Sequence, residues 1–271
     1  MMCSRGPRST SGLCSAVIAA GALAAAPGPA RADDHDDVLD DHDAPDAAAH
    51  AAEAGAFLIS ALSPRSDGRR GLVTAAIGWD RARSGSMYDT TVEANLLGPV
   101  SLTAGALHDG PGTSASAHFE LRLDALHQAT QGLDLAIAAG YTDAGLNTVP
   151  AAVLRVAVGR NVGASYLLAN VVYDQGLQDG ERSGELRLAA LYPVARAAHV
   201  GIDSRLQMDL ERDNDEPSGE VDWEWRSGLV ASYAWDRFVI TGGGGVSALR
   251  LRSGGPTEVG PVVTAGIGTV F

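Results

Sequence analysis

Apolar residues recur at every second position along most of the chain after residue 70. In the clearest run, 199–210, Val, Ile, Leu and Met alternate with His, Asp, Arg and Gln. Shorter runs of the same kind occupy 119–124 and 221–226. An amphipathic helix repeats its apolar residues three or four positions apart, so alternation of this length predicts β-strands.

Twelve such runs follow one another up to the last residue, Phe271. They are predicted at 71–81, 87–97, 100–108, 116–126, 133–141, 151–160, 163–174, 183–193, 197–210, 220–235, 237–250 and 257–271. Most of them reach the roughly 9–11 residues that a tilted strand needs to cross the hydrocarbon of a membrane.

The linkers between these runs differ in length on the two sides. The linkers at 98–99 and 161–162 are tight, whereas those at 109–115 and 142–150 are longer and rich in Gly, Pro and Asp. Membrane barrels have tight turns at one end and long loops at the other. The pattern therefore predicts an all-β fold, a transmembrane antiparallel up-and-down β-barrel of about 12 strands, in residues 70–271.

The residues before the barrel have a different character. Residues 1–32 have the basic start, the short apolar stretch and the A-x-A cleavage site of a secretory signal peptide. Residues 33–69 are predicted to form an acidic disordered leader and a short helix. Its Asp- and His-rich part, 33–43, is too charged to bury a core, and 46–62 has the spacing of a short N-terminal helix.

Charge and cysteine content narrow the possible partners and the source of stability. The net charge of −13 disfavours nucleic acid as a partner.

Both cysteines, Cys3 and Cys14, lie in the predicted signal peptide, so the remaining chain can form no disulfide. Its stability must come from elsewhere, and a closed ladder of backbone hydrogen bonds would supply it.

Alternation also assigns the charged side chains of the strands to the interior of the barrel. An arginine facing lipid at the membrane midplane would cost about 2–4 kcal/mol, so the lumen is the favourable place. The predicted lumen-lining residues are Asp89, Glu93, Glu120, Arg122, Asp124, Asp134, Arg155, Glu185, Arg187, Asp203, Arg205, Asp209, Asp222, Glu224 and Arg226. Acids outnumber arginines in this set. Two compatible interpretations are an ion-pair network that braces a narrow barrel and a pore that favours cations.

Aromatic residues occupy both ends of the tenth predicted strand. Trp223 and Trp225 lie near its loop end, and Tyr233 and Trp235 lie near its turn end. Because Trp and Tyr favour membrane–water interfaces, we predict these four residues to be interface aromatics.

Few residues suggest bound metal or catalysis. His35 and His42 are weak candidates for metal binding, since His and Asp both ligate divalent ions, but their spacing matches no closed site. His108-Asp109 falls at a loop edge, and no Ser/His/Asp arrangement can be derived from spacing. The chain has no P-loop. We therefore predict no catalytic residue, no metal site and no cofactor.

The signal peptide, the alternating strands and the final aromatic together resemble the outer-membrane β-barrel proteins of Gram-negative bacteria, in architecture and over residues 70–271. The resemblance implies a location in the cell outer membrane, contact with its lipid, and insertion by the barrel-assembly machinery. That machinery reads the last strand, although Thr269 departs from the usual apolar residue at its position. The implied assembly signal consists of Phe271, Ile267, Ala265 and Val263.

The leading hypothesis for function is a monomeric barrel that acts as a narrow passive channel or as a structural surface protein, with a mildly acidic lumen. One alternative is a binding module that uses acidic outer loops such as 211–217. Another is an outer-membrane hydrolase. For the fold, the alternative is a secreted soluble β-barrel, whose strands would also alternate.

Overall fold

The structure is a computed structural model that describes residues 71–109, 115–143, 150–178, 180–195, 197–210, 221–235, 237–252 and 255–270. The predicted signal peptide, the leader with its helix at 46–62, His35 and His42 lie outside these residues. So do Phe271 and the acidic loop 211–217.

The described residues form twelve strands, as the alternation predicts. They are β1 (Gly71–Asp80), β2 (Gly85–Leu97), β3 (Val100–Asp109), β4 (Ser116–Leu126), β5 (Asp134–Thr142), β6 (Ala151–Val162), β7 (Ser165–Gly176), β8 (Arg182–Ala195), β9 (Ala198–Asp209), β10 (Val221–Trp235), β11 (Phe238–Leu251) and β12 (Glu258–Val270). The observed bounds differ from the predicted ones by only a few residues, since alternation fixes the middle of a strand better than its ends.

Each strand pairs antiparallel with its neighbours in sequence, and β12 pairs with β1 to close the barrel. The closing register places Ala75 opposite Ile267 and Ile77 opposite Ala265. Closure leaves no strand edge with unpaired backbone groups, which is the condition for placing a sheet in hydrocarbon. The prediction of an up-and-down antiparallel barrel is confirmed.

The connections alternate in length, with two exceptions. Residues 98–99 and 163–164 are two-residue turns at the end of the barrel where the described chain begins and finishes. At that same end, β4 and β5 are joined by a longer segment with a single helical turn, α1 (Gln128–Gln131). The carboxylate of Asp134 accepts a hydrogen bond from the backbone N–H of Gln128 at 2.7 Å and holds this turn against β5. The second exception is the short β1–β2 connection, 81–84, at the opposite end.

Glycine allows the barrel wall to bend where strands approach closely. A Cβ atom on Gly140 would collide with the carbonyl oxygen of Phe119, and one on Gly245 would collide with that of Ser227. Only a residue without a side chain tolerates such contact between neighbouring backbones. The glycine run of β11 therefore contributes curvature at Gly245, whereas a Cβ on Gly242 would lie 3.8 Å from its nearest atom.

The described residues contain no helix that is long and apolar enough to span a membrane.

The lumen as candidate functional site

The outward face of the barrel is apolar. Ile77, Val171 and Leu229 project from the wall with 63%, 58% and 69% of their surface exposed. In the described strands, no Asp or Glu lies on this face between the strand ends. The outward arginines Arg160, Arg182 and Arg250 lie within two residues of a strand end. Exposed hydrophobic surface this extensive is unusual for a soluble monomer, because such proteins rarely expose large apolar patches.

The inward face carries the charges. Cross-strand register places all the predicted lumen-lining residues except Asp222 on this face: Asp89, Glu93, Glu120, Arg122, Asp124, Asp134, Arg155, Glu185, Arg187, Asp203, Arg205, Asp209, Glu224 and Arg226. Asp222 lies at a register shift of β10 and forms an ion pair with the exposed Arg250, at 3.7 Å. A bulge of this kind changes the direction in which the side chain points. The alternation of apolar and polar residues in the sequence does not reveal the bulge.

Further charged residues on the inner side of the barrel were missed in the sequence, among them Asp80, Arg83, Asp174 and Arg252. Asp80 and Asp174 have the inward parity of β1 and β7, so extending the alternation to the strand ends would have found them. Arg83 lies in the β1–β2 connection, where no periodicity applies, and its role depends on a contact 141 residues away in sequence. Arg252 follows β11 and contacts Asp209.

An ionic network joins the β1–β2 connection to β10. The guanidinium of Arg83 donates two hydrogen bonds to Glu224, from Nε at 3.1 Å and from the terminal nitrogen at 2.5 Å. Arg226 contacts Oε1 of Glu224, the oxygen that also accepts from Nε of Arg83, at 2.7 Å, and it contacts Asp80 at 3.1 Å. Asp80 also accepts hydrogen bonds from the Ser247 hydroxyl and from the backbone N–H of Ala82. The network passes over β11 and β12 and fixes the connection against the inner wall.

A second group of ion pairs braces the opposite part of the wall. Arg155 on β6 binds Glu120 on β4 with two hydrogen bonds, at 3.1 and 2.7 Å, which is the bidentate geometry that guanidinium groups form with carboxylates. Arg122 contacts Asp124 at 2.9 Å and Glu93 of β2 at 3.5 Å. The contacts of Arg155 with Glu120 and of Arg122 with Glu93 connect strands that are not neighbours, so they stiffen the cylinder across its backbone ladder.

Three arginines lie side by side on β8, β9 and β10. Arg187 is the direct cross-strand partner of Arg205, which in turn is the partner of Arg226. Like charges directly opposite one another destabilise a sheet. Here Glu185 compensates by contacting both Arg187 and Arg205, and Glu224 contacts Arg226. Glu185 and Glu224 therefore compensate the charge of the arginine row. Each lies two residues before an arginine of the row on the same strand.

Apolar side chains narrow the lumen beside this charged region. Tyr166 and Leu191 form one buried cluster, and Met87 and Val262 form another. Val230 of β10 packs against both clusters. Because these residues come from β2, β7, β8, β10 and β12, their contacts draw distant parts of the wall together. We refer to this set of five residues as the apolar bridge.

Comparison with solved structures agrees with this architecture. The structure is similar to the NanC porin, with a TM-score of 0.55 and 9% sequence identity over 73% of this chain and 98% of that one. The protein has the fold of an outer-membrane β-barrel. The KdgM porin also matches, with a TM-score of 0.48 and 9% identity over 74% of this chain and 99% of that chain. Omp33 of Acinetobacter baumannii matches with a TM-score of 0.42 and 13% identity, over 75% and 98%. No protein-family model and no curated protein matches the sequence.

The histidines of the barrel are spread over different sites. His118 and His199 have inward positions, and His127 precedes α1. His108 points outward and stacks on Tyr88, with ring centroids 4.6 Å apart. No group of three or more His, Cys, Asp or Glu side chains in the described part of the chain is arranged to hold a metal ion.

The predicted interface aromatics lie on the outer wall of β10. Trp225, Tyr233 and Trp235 are exposed, and Trp223 is half-buried. The indole N–H of Trp225 donates to the Ser204 hydroxyl at 3.3 Å, so the ring lies against β9. The two pairs are at opposite ends of one strand, which is the placement that the interface prediction requires.

The residues of the implied assembly signal share the outward face of the barrel. Val263 and Ile267 are 51% and 49% exposed, and Ala265 lies between them on the same face. Thr269 has the same parity and is half-buried. A receptor approaching β12 from the membrane would therefore meet these side chains together.

Proposed function

We propose that the protein is a narrow passive channel of the cell outer membrane with a mildly acidic lumen. The observation that carries this proposal is the division of the wall into an outer face that is apolar between the strand ends and a highly charged inner face. A structural barrel without a channel needs an interior that is closely packed with side chains. Charged side chains are unfavourable in such an interior, because each must lose its hydration. A lumen that admits water accommodates them at much lower cost.

The acidic character follows from the carboxylates that remain after the ion pairs are formed. Asp89 accepts a hydrogen bond from the Thr91 hydroxyl, and Asp174 accepts one from Ser183. Hydroxyl donors carry no charge, so these two hydrogen bonds place no positive charge beside the carboxylates. Asp203 adds a further inward carboxylate on β9. An excess of carboxylates in a pore favours cations over anions.

Further parts of the proposal concern orientation and partners. The long connections would face outward from the cell, and both ends of the described barrel would lie on the periplasmic side. The outer wall would contact lipid, the last strand would be read by the barrel-assembly machinery, and the barrel would act as a monomer. Passive permeation requires no catalytic group or cofactor, and we assign none.

Conductance in planar lipid bilayers tests the channel. We expect the purified barrel to give small, stable single-channel currents with a preference for cations. Val230→Ala should raise the conductance, because it shortens the residue at the centre of the apolar bridge. Leu229→Ala is the matched control, since its side chain is 69% exposed on the outer wall.

The results test two hypotheses separately: that the barrel conducts ions, and that the apolar bridge limits the conductance. The absence of current at any voltage would remove the channel proposal. If V230A and L229A conduct alike, the apolar bridge does not limit the flow.

A further inference from the structure

The β1–β2 connection, residues 81–84, folds over the inner side of the wall at the loop end of the barrel, opposite to the two-residue turns. Gly260 of β12 has an inward position, because it is the cross-strand partner of the inward Ser247. A Cβ atom on Gly260 would collide with Cβ and Cγ of Arg81. Arg81 therefore starts inside the barrel, directly over a position that has to lack a side chain.

Hydrogen bonds within the connection give it a fixed shape. The carboxylate of Asp80 accepts from the backbone N–H of Ala82 at 2.9 Å and from that of Arg83 at 3.4 Å. The N–H of Ser84 donates to the carbonyl oxygen of Arg81 at 3.0 Å. An Asp side chain that binds the backbone two residues on stabilises a tight turn. The connection therefore holds Arg83 in one direction.

Arg83 extends from this connection across the lumen side of the wall to β10. Its guanidinium binds Glu224, which is the fourth residue of β10 and lies near the loop end. β12 and β11 lie between β1 and β10, so the contact spans three strand spacings, or about 14 Å along the wall. A straight path between two points of a curved wall lies inside the curve. The side chain of Arg83 therefore occupies space within the loop end of the lumen.

A second arginine makes a contact of the same kind beside the first. Arg252, which follows β11, contacts Asp209 at the end of β9, and β10 lies between them. The side chains of Arg83 and Arg252 are only 16% and 14% exposed, so both are held in place. Together the two contacts follow the loop end from β9 to β1, which is five of the twelve strands.

We propose that residues 81–84, with Arg83 bound to Glu224, form a strap that sets the largest solute able to enter the channel from the loop end. This inference rests on the proposed function. The network around Arg83 balances two guanidinium groups with two carboxylates, so the strap restricts solutes by size more than by charge. Val230 of the apolar bridge lies six residues farther along β10 than Glu224, about 20 Å away along the strand. The strap and the apolar bridge are therefore separate constrictions.

Polymer exclusion from single channels in a planar bilayer tests the strap. Polyethylene glycols of increasing size are added to one side at a time, and a polymer that enters the channel lowers its conductance. We expect Arg83→Ala to raise the mass of the largest entering polymer about twofold on one side and to leave the other side unchanged. Arg250→Ala is the matched control, because it removes a half-exposed arginine from the outer face at the same end.

A bulky label on the strap provides a second test that keeps Arg83 in place. Arg81→Cys, in a chain in which Cys3 and Cys14 are replaced, would be coupled to a maleimide-linked polymer. Residue 81 is exposed, so the reagent reaches it, and it lies on the inner side over Gly260. The label should block most of the current. The same label on Arg250→Cys lies on the outer wall and should leave the current unchanged.

The outcomes distinguish this inference from the channel itself. A wild-type barrel that carries no current overturns both. Currents in the wild type with equal polymer limits for R83A and R250A overturn only the strap. Retarded migration of unheated protein in SDS gels reports whether each variant forms a folded barrel. If R83A does not fold, labelled R81C decides, since a current equal to that of labelled R250C overturns the strap.

Discussion

Val171→Arg is expected to lower the free energy of unfolding of the barrel by about 2–4 kcal/mol. Val171 lies in the middle of β7 on the outward face, where it is paired with Val156 and Leu186 and is 58% exposed. A guanidinium at this depth would lose its hydration to hydrocarbon. The measurement is reversible unfolding by guanidinium chloride in the presence of lipid vesicles, with the midpoint and slope fitted for each variant.

Leu97→Arg is the matched control for depth. Leu97 is the last residue of β2, beside the tight turn at 98–99, and is 82% exposed. An arginine at the interface should cost about 1 kcal/mol or less, because its charge reaches water and headgroups. Equal losses for V171R and L97R would mean that the outward face does not contact a hydrocarbon layer.

Glu224→Gln is expected to destabilise the barrel by about 3 kcal/mol. Glu224 is buried and contacts both Arg83 and Arg226. Removing its charge takes away a carboxylate that both guanidinium groups contact, whereas the contact of Arg226 with Asp80 remains. A buried charge that loses its partner destabilises the folded protein, because water does not reach the buried group to hydrate it. The same unfolding assay measures the effect.

Asp222→Asn provides the comparison for a surface ion pair on the same strand. Its partner Arg250 lies 3.7 Å away, and both side chains are more than 40% exposed, at 41% and 49%. Exposed pairs contribute about 0–1 kcal/mol, so D222N should be nearly neutral. A loss for E224Q no greater than that for D222N would show that the network with Arg83 does not brace the barrel.

Most of the fold can be predicted from the sequence because one rule governs it. Side chains alternate between the two faces of a strand, so the run at 199–210 specifies its own inner and outer positions. Opposite charges such as Glu120 and Arg155 share the inner face for the same reason. Their pairing, however, depends on register and strand number. Arg155 is 35 residues from Glu120, and no periodicity relates the two.

The parts that alternation misses depend on closure of the barrel. Arg83 reaches Glu224 only because β1 follows β12 and β11 around the wall. Val230 joins two apolar clusters only because the cylinder brings β2 and β7 near β10. Local sequence therefore predicts which face of the sheet a residue occupies, and the closed topology determines which other residues it contacts on that face.

Spin-label accessibility along β9 tests the central claim most directly, namely that alternate residues face lipid and lumen. Single cysteines at residues 199, 200, 202, 203 and 204, in a chain in which Cys3 and Cys14 are replaced, would carry a nitroxide in lipid bilayers. We expect high collision rates with oxygen, which dissolves in hydrocarbon, at Val200, Ile202 and Ser204, and low rates at the inward positions His199 and Asp203. A uniform rate along these positions, or strong collision of Ile202 with a water-soluble nickel chelate, would contradict the account.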